Sequence, residues 1–238
     1  MQNILVTGAN RGIGLALTRR LLELGHRVFA GVREPAKANA LRDLPSAELA
    51  RLEVVGLELN SNQSVQSALG EVRSRTPELD VVVNMAGVSP HPHDARLDTV
   101  DLDTVTNTFL TNVIGPLRVA QAFAPLLRAA ATPERPARLV NVSSGVASMK
   151  GKDNGIFYAY GVSKTALNML SLTESFDLRD ENVCVIALDP GWVRTDLGGP
   201  NAHLAPEESA RPCADLILSL TMASSGKFLH YSGAEIAF

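Results

Sequence analysis

The sequence predicts an α/β fold: a doubly wound, mostly parallel, seven-stranded sheet with helices on both faces, in a single domain covering residues 1–238. Three observations carry this expectation. Short β-branched runs alternate with longer helical patterns, and no repeat, linker or shift in composition divides the chain. Several of the runs are apolar enough to be buried on both faces, as in a parallel sheet. The first run passes directly into a glycine-rich turn with a helical pattern behind it.

In chain order, the run 3–7 (NILVT) reads as the first strand, followed by a helical pattern near 12–24 that places Leu15, Leu17, Leu21 and Leu22. Strand 27–32 (RVFAGV) precedes a helix near 35–43, and 52–59 (LEVVGLEL) precedes one near 63–75. Strand 79–84 (LDVVVN) leads to a long helical stretch near 100–130, and 138–143 (RLVNVS) to another near 158–180. Strand 183–188 (VCVIAL), a helix near 206–222 and strand 227–231 (KFLHY) complete the series. The Pro-containing patches 131–137 and 198–206 read as loops. Right-handed crossovers return each parallel strand to the same end, so a ligand is expected beyond the carboxyl ends of the strands.

Composition narrows the function. A chain that is 45% apolar and 20% charged is a folded globular protein. A net charge of −3 offers no electrostatic footprint for nucleic acid or an anionic membrane surface. Cys184 and Cys213 lack metal-ligand spacing and read as core packing in a reducing compartment. The N-terminus MQNILVTG lacks the features of a secretory leader, and no run approaches the roughly 20 apolar residues of a membrane span, so a cytoplasmic location is expected.

The chemistry-bearing residues lie at the carboxyl ends of the predicted strands. Thr7-Gly8-Ala9-Asn10-Arg11-Gly12-Ile13-Gly14 forms a strand-to-helix turn. Glycines there let backbone approach a pyrophosphate, which unpaired N–H groups and the helix dipole stabilise. The spacing is GxxxGxG rather than GxGxxG, and the Walker lysine and hydroxyl are missing after Gly14, which disfavours phosphoryl transfer. Where an acidic residue would mark NAD, the second strand ends Gly31-Val32-Arg33-Glu34. Arg33 with Arg11 offers two guanidinium groups suited to a 2′-phosphate, favouring NADP(H) over NAD(H). Glu34 is the complication, since a rotated carboxylate suits NAD, and two solvated surface arginines are common.

The segment FYAYGVSK, residues 157–164, holds two of the three tyrosines. In a helix, Tyr160 and Lys164 are offset by about 40° and share a face, whereas Tyr158 stands about 120° from Lys164. An ammonium held near the Tyr160 phenol is expected to lower its pKa, making it a general acid for carbonyl reduction and a base in reverse. Alone, such a pair is an ordinary surface contact. The fifth strand ends Asn141-Val142-Ser143-Ser144-Gly145, where a hydroxyl could bind the same substrate oxygen; the plainer reading is that both serines satisfy loop backbone.

With these pieces in place the sequence resembles the short-chain dehydrogenase/reductase family over essentially its whole length. TGANRGIG matches the family's TGxxxGxG turn, Asn84-Met85-Ala86-Gly87 its NNAG, Asn112 its helix asparagine, Ser144 its serine, Tyr160 and Lys164 its YxxxK, and Pro190-Gly191 its PG. YAYGVSKTALN and DPGWVRTDLGG are similar to the branch holding C-factor and the sniffer-type carbonyl reductases. The resemblance implies a Rossmann-type domain that transfers hydride from NADPH to an aldehyde, ketone or quinone. Tyr160 would donate the proton, Lys164 would hold the nicotinamide ribose and lower the tyrosine pKa, and Ser144, rather than Ser143, would polarise the carbonyl. Asn112 would hold a water linking Lys164 to solvent. The cofactor would be held by Gly8, Asn10, Arg11, Gly12, Ile13, Gly14, Arg33, Glu58, Leu59, Asn84, Ala86, Gly87, Tyr160, Lys164, Pro190, Gly191, Val193 and Thr195, the last at the carboxamide. Glu58 stands where the family has aspartate, and Met85 replaces the second asparagine of NNAG. A homodimer or homotetramer built on the long helices near 106–130 and 158–180 is also implied.

His91-Pro92-His93-Asp94 looks like a metal-site fragment, but without a third ligand it reads as a loop above the nicotinamide, and no metal is expected. Trp192 could wall a substrate pocket or pack in core or interface. The segment 197–205 is short for a lid, which suggests an open, tolerant site. Two function classes follow: an NADPH-dependent carbonyl reductase, or a C-factor-like signalling protein that binds NAD(P) with little need for turnover.

Overall fold

The protein was analysed as a computed structural model that describes residues 1–90 and 96–238. Seven strands run β1 Asn3–Thr7, β2 Arg27–Val32, β3 Leu52–Gly56, β4 Val81–Asn84, β5 Ala137–Val142, β6 Val183–Asp189 and β7 Phe228–His230. They form one sheet in the order β3-β2-β1-β4-β5-β6-β7, and every neighbouring pair is parallel. The order reverses between β1 and β4, so a crevice opens beyond their carboxyl ends.

The side-chain alternation of the strands sets the two layers of core. Ile4, Val6, Val81 and Val83 face one side, where they meet Leu17 and Leu21 of α1 (Gly12–Glu23) and Ala214 and Ile217 of α7 (Pro206–Ser219). Leu5, Phe29, Val82 and Val185 face the other, against Val65 and Leu69 of α3 (Asn62–Arg73) and Phe123 and Leu127 of α5 (Gly115–Ala130). Both faces of the central strands are apolar and buried, so the sheet has no solvated side. Cys184 and Cys213 are free thiols in the first core, and burial pushes both up to about 12, which leaves them unreactive.

Three elements differ from the sequence expectation. Residues 35–43 do not form an α-helix: two single 3-10 turns, Pro35–Lys37 and Asn39–Leu41, precede a four-residue α2 at Ser46–Leu49. Ala38, between the turns, has ψ 48 outside the helical region, and only Ala38 and Leu41 of this stretch are buried, too little apolar surface to support a helix. The stretch near 100–130 is continuous but not uniform: α4 (Leu102–Phe109) passes through a π-helical turn, Leu110–Ile114, into α5. Pro116 has no N–H to donate to the carbonyl of Asn112, and the Gly115 N–H reaches back five residues to Leu110. The third is α6, which begins at Tyr160 rather than 158 because Phe157 sits at φ 66, a left-handed conformation that stops the helix from extending upstream.

Helix α6 (Tyr160–Asp177) is polar on its inner face, where Ser163, Lys164, Asn168, Ser171, Glu174 and Ser175 are buried. Asn141 of β5 donates to Glu174 Oε2 at 2.7 Å and to Ser171 Oγ at 3.0 Å, and receives Asn84 Nδ2 of β4 on its own Oδ1 at 2.8 Å. Burial pushes the Glu174 carboxyl up to about 7, against the bond from Asn141 that lowers it. The folded state thus holds a proton that the unfolded chain has already lost above the ordinary value of 4.5. The stability this group confers is full below pH 4.5 and is lost as pH rises through about 7. Glu174→Gln should therefore leave stability near pH 4 unchanged and raise it at pH 8 by roughly 1–3 kcal/mol. Urea unfolding at the two pH values checks this; equal effects at both would remove the carboxyl's titration as the cause.

Candidate active site

The turn between β1 and α1 is shaped by three glycines with no room for a side chain or no L-conformation to hold one. Gly8 has φ 66, and a Cβ there would stand 2.9 Å from the Ala86 Cα. A Cβ on Gly14 would overlap the Gly8 carbonyl oxygen. Gly12, at φ 53, lies under the Thr195 methyl, which would be 3.1 Å from its Cβ. The Thr7 hydroxyl receives the Met85 and Ala86 N–H groups, each at 3.1 Å, and so ties the end of β1 to the end of β4. Arg11, the residue before α1, is extended and provides no side-chain cap, so the first N–H groups of the helix point outward with the positive end of its dipole.

These N–H groups open into a cleft of about 1210 Å³ along the carboxyl edge of the sheet. Gly8, Asn10, Arg11, Gly12, Ile13 and Gly14 line it at one end, and Arg33, Glu58 and Leu59 close its far wall. Ala86 and Gly87 form the middle, with Ser144, Tyr160, Lys164, Pro190, Gly191, Val193 and Thr195 opposite. Asn84 and Asn112 lie behind the wall: Asn84 bonds Asn141 beneath the floor, and Asn112 is fully buried. The cradle of close glycine backbone beside an uncapped helix start is the shape and polarity a dinucleotide pyrophosphate requires. No group of three His, Cys, Asp or Glu side chains among the described residues could hold a metal ion, and the His91–Asp94 segment lies outside the described residues.

The reactive end is built around Tyr160 and Lys164, one turn apart on α6. Lys164 Nζ stands 5.8 Å from the centre of the Tyr160 ring and donates to the Val142 carbonyl at 2.8 Å. Asn112, in the π-helical turn, receives the Val88 N–H at 2.9 Å and donates to the Val88 carbonyl at 2.8 Å and to Ser163 Oγ at 3.0 Å. Its Oδ1 and Lys164 Nζ would each be 3.3 Å from a Cβ on Gly87, so both approach the space that this glycine leaves open. The two serines divide: Ser143 is buried and donates weakly to the Lys164 carbonyl at 3.4 Å, while the Ser144 side chain bonds the Tyr160 phenol. Tyr158 precedes the helix and does not line the cleft.

The electrostatics differ from the expected lowering of the tyrosine pKa. Burial pushes the Tyr160 phenol up to about 12, with the Ser144 hydrogen bond opposing and the Asp189 charge adding to the rise. Burial also brings the Lys164 ammonium down to about 8. The lysine charge is itself penalised by desolvation, so it does not dominate its neighbour in this arrangement.

The two arginines are likewise not a pair. Arg33 Nε meets Glu58 at 3.6 Å on the far wall, whereas Arg11 turns the other way and meets Asp196 at 2.6 Å. Arg33 therefore stays on the far wall of the cleft, and Arg11 links the glycine turn to the segment after β6. Glu34 is taken up by Lys37 at 2.5 Å, and that bond lowers its pKa from the ordinary value. In the segment after β6, Gly191 at φ 81 packs so tightly that a Cβ would stand 2.7 Å from the Tyr231 ring. Trp192 is half exposed and donates to the Gly198 carbonyl at 2.8 Å, with its ring edge-on to His203 at 5.0 Å.

Beside Tyr160, the cleft is also lined by Phe157 and Asp189, which were not singled out from sequence. Phe157, left-handed and edge-on to the Tyr160 ring at 6.3 Å, has no sequence signal beyond its place three residues before the start of the helix. Asp189 carried one: an acidic residue as the last position of an otherwise apolar buried strand.

The sequence profile of the short chain dehydrogenase family matches residues 2–203. The chain belongs to the short-chain dehydrogenase/reductase family. Among curated relatives, C-signal of Myxococcus xanthus is 40% identical over 161 residues, covering 68% of this chain and 93% of that protein. Among solved structures, the carbonyl reductase Sniffer of D. melanogaster superposes with a TM-score of 0.94 at 32% identity, over 100% of both chains. An NADPH-bound carbonyl reductase from chicken fatty liver gives a TM-score of 0.91 at 32% identity, over 100% of this chain and 99% of that one. The family likeness thus extends over the whole fold, including the sheet edge that carries the cleft.

Proposed function

We propose that the protein is an NADPH-dependent carbonyl reductase acting on a small aldehyde, ketone or quinone. One observation carries the reading: Tyr160, its phenol bonded by Ser144, and Lys164 stand together on a cleft whose other end is the glycine cradle. The likeness to Sniffer and to the NADPH-bound carbonyl reductase supports it.

When bound, NADPH supplies the hydride. The chain's own residues do the rest. The uncapped start of α1 and the backbone of Gly8, Asn10, Gly12, Ile13 and Gly14 receive the pyrophosphate. Arg33 takes the 2′-phosphate, with Glu58 and Leu59 beside the adenine. Ala86, Gly87, Pro190, Gly191, Val193 and Thr195 hold the nicotinamide half, and Asn84 braces the β4 end from below. Ser144 and Tyr160 converge on the substrate oxygen; Ser144 polarises it and Tyr160 gives up its proton as negative charge develops there. Lys164 binds the nicotinamide ribose, and Asn112 positions the route by which Lys164 and Tyr160 recover a proton. The neutral phenol expected of a tyrosine whose pKa is raised suits the reducing direction.

The similarity to C-signal favours a second reading, in which cofactor binding serves signalling and turnover is incidental. A further proposal concerns assembly. Val162, Met169 and Phe176 on the outer face of α6 are 51%, 60% and 61% exposed, and Leu110, Ile114 and Leu117 are exposed at the π-turn and the start of α5. An apolar outer face of this kind fits a second copy of the chain.

Three outcomes are expected. Tyr160→Phe should lower reductase turnover by roughly 10²-fold or more while NADPH still binds, measured as NADPH oxidation over a panel of carbonyl compounds; retained biological activity in a turnover-dead variant would favour signalling. Arg33→Asp should weaken NADPH by about tenfold or more and NADH far less, in line with loss of a charged hydrogen bond; equal losses in fluorescence titration would reject the 2′-phosphate assignment. Light scattering should give twice or four times the chain mass of 25.4 kDa, and a monomer mass would reject the second copy.

A further inference from the structure

Asp189 ends β6 beside the reactive residues, and none of the steps above uses it. It is nine-tenths buried, and Oδ1 accepts the Gly191 N–H at 3.0 Å. On its other side the carboxylate accepts the Gly145 N–H, and Oδ2 would be 3.1 Å from a Cβ on Gly145. One side chain therefore joins two turns that leave adjacent strands. The first carries Ser144 at the end of β5; the second is Pro190-Gly191 at the end of β6. The strands beneath are already in register, with Val142 beside Leu188 and the Ser143 N–H on the Leu188 carbonyl at 2.7 Å. Beyond that point the sheet no longer holds them together, and the carboxylate takes over where the ladder ends. A side chain at 145 would crowd the Asp189 carboxylate, which would have to give by a few tenths of an ångström to accommodate it.

The carboxylate has little to neutralise it. Among the described residues, His230, its neighbour across from β7, is the group whose charge draws it down, and burial raises its pKa overall. Cys213 of α7 is neutral and feels the carboxylate as a further push upward. From α6 the facing group is Tyr160, whose phenol is raised by the same charge; the Lys164 ammonium donates to the Val142 carbonyl. A buried anion without an ion partner is costly to keep, and two peptide N–H groups are what holds it.

We propose that Asp189 is a positioning residue for the carbonyl-reduction chemistry: its buried carboxylate pins the Ser144–Gly145 turn to the Pro190–Gly191 turn and sets negative charge beside Tyr160. The inference rests on the reductase reading above. Hydrogen-bond acceptance fixes the spacing of the serine hydroxyl from the nicotinamide loop. The charge disfavours phenolate, so the phenol remains an acid to higher pH.

The test uses full-length protein with NADP(H). Asp189→Asn keeps an acceptor for the Gly191 N–H and removes the charge. Its alkaline loss of reductase turnover should begin at lower pH than in the native protein, by roughly half a unit or more. Tyrosinate absorbance, taken as the difference from the same protein carrying Tyr160→Phe, should move in the same direction. Asp189→Ala loses acceptor and charge together and frees both turns, so its kcat should fall at least tenfold, by more than any rise in KM for NADPH. Asp189→Ser is the alternative charge-removing variant if Asn folds poorly. Superimposable pH profiles and tyrosinate titrations for the native and Asn proteins would overturn the proposal, as would a purely thermal loss in Ala with kcat intact. If the native protein reduces no carbonyl compound, the reductase reading fails by itself, and the tyrosinate titration still decides the charge coupling.

Discussion

The constraint on which the site depends is the burial of the Lys164 ammonium. A charge taken out of water must find acceptors or lose its proton, and burial already brings this one down to about 8. Its hydrogen bond to the Val142 carbonyl fixes α6 against the end of β5, in the same turn of chain that presents Ser143 and Ser144. Reaching that carbonyl requires α6 to come close, and the residues flanking the lysine on the inner face are small: Gly161 and Ser163. Ser163 is held in turn by Asn112, whose place in a π-helical turn follows from Pro116 having no N–H to give. Gly87 leaves open the one space that the lysine and the asparagine both approach. A proline four residues downstream, a glycine at a strand end and a serine one residue away thus support one charged group.

The sheet was legible because a parallel sheet covered on both faces must read as nearly continuous apolar runs, and β1, β4, β5 and β6 do. The glycine turn was legible for a steric reason that sequence carries in full: at Gly8 and Gly14 nothing larger fits. Pairing of Tyr160 with Lys164 followed from helical spacing alone, although the helix starts two residues later than the pattern indicates. What could not be read depends on the third dimension. Arg11 and Asp196 are 185 residues apart and meet only because the segment after β6 crosses over the glycine turn. Helix 35–43 failed because its apolar residues are too few to repay ordering, a matter of what the sheet edge offers rather than of local propensity. The direction of the Tyr160 shift was also out of reach, since it is a balance between desolvation and a hydrogen bond.

That balance bears on chemistry. At neutral pH a phenol raised to about 12 keeps its proton, and a lysine brought down to about 8 is the group closer to its titration point. Of the pair, the lysine therefore responds first to a change in its surroundings. Anything that restores its solvation or adds a counter-charge on its open side returns it toward a full cation, and a fuller cation acts back on the phenol 5.8 Å away at ring centre. The acid strength of Tyr160 therefore follows the charge state of its neighbour Lys164.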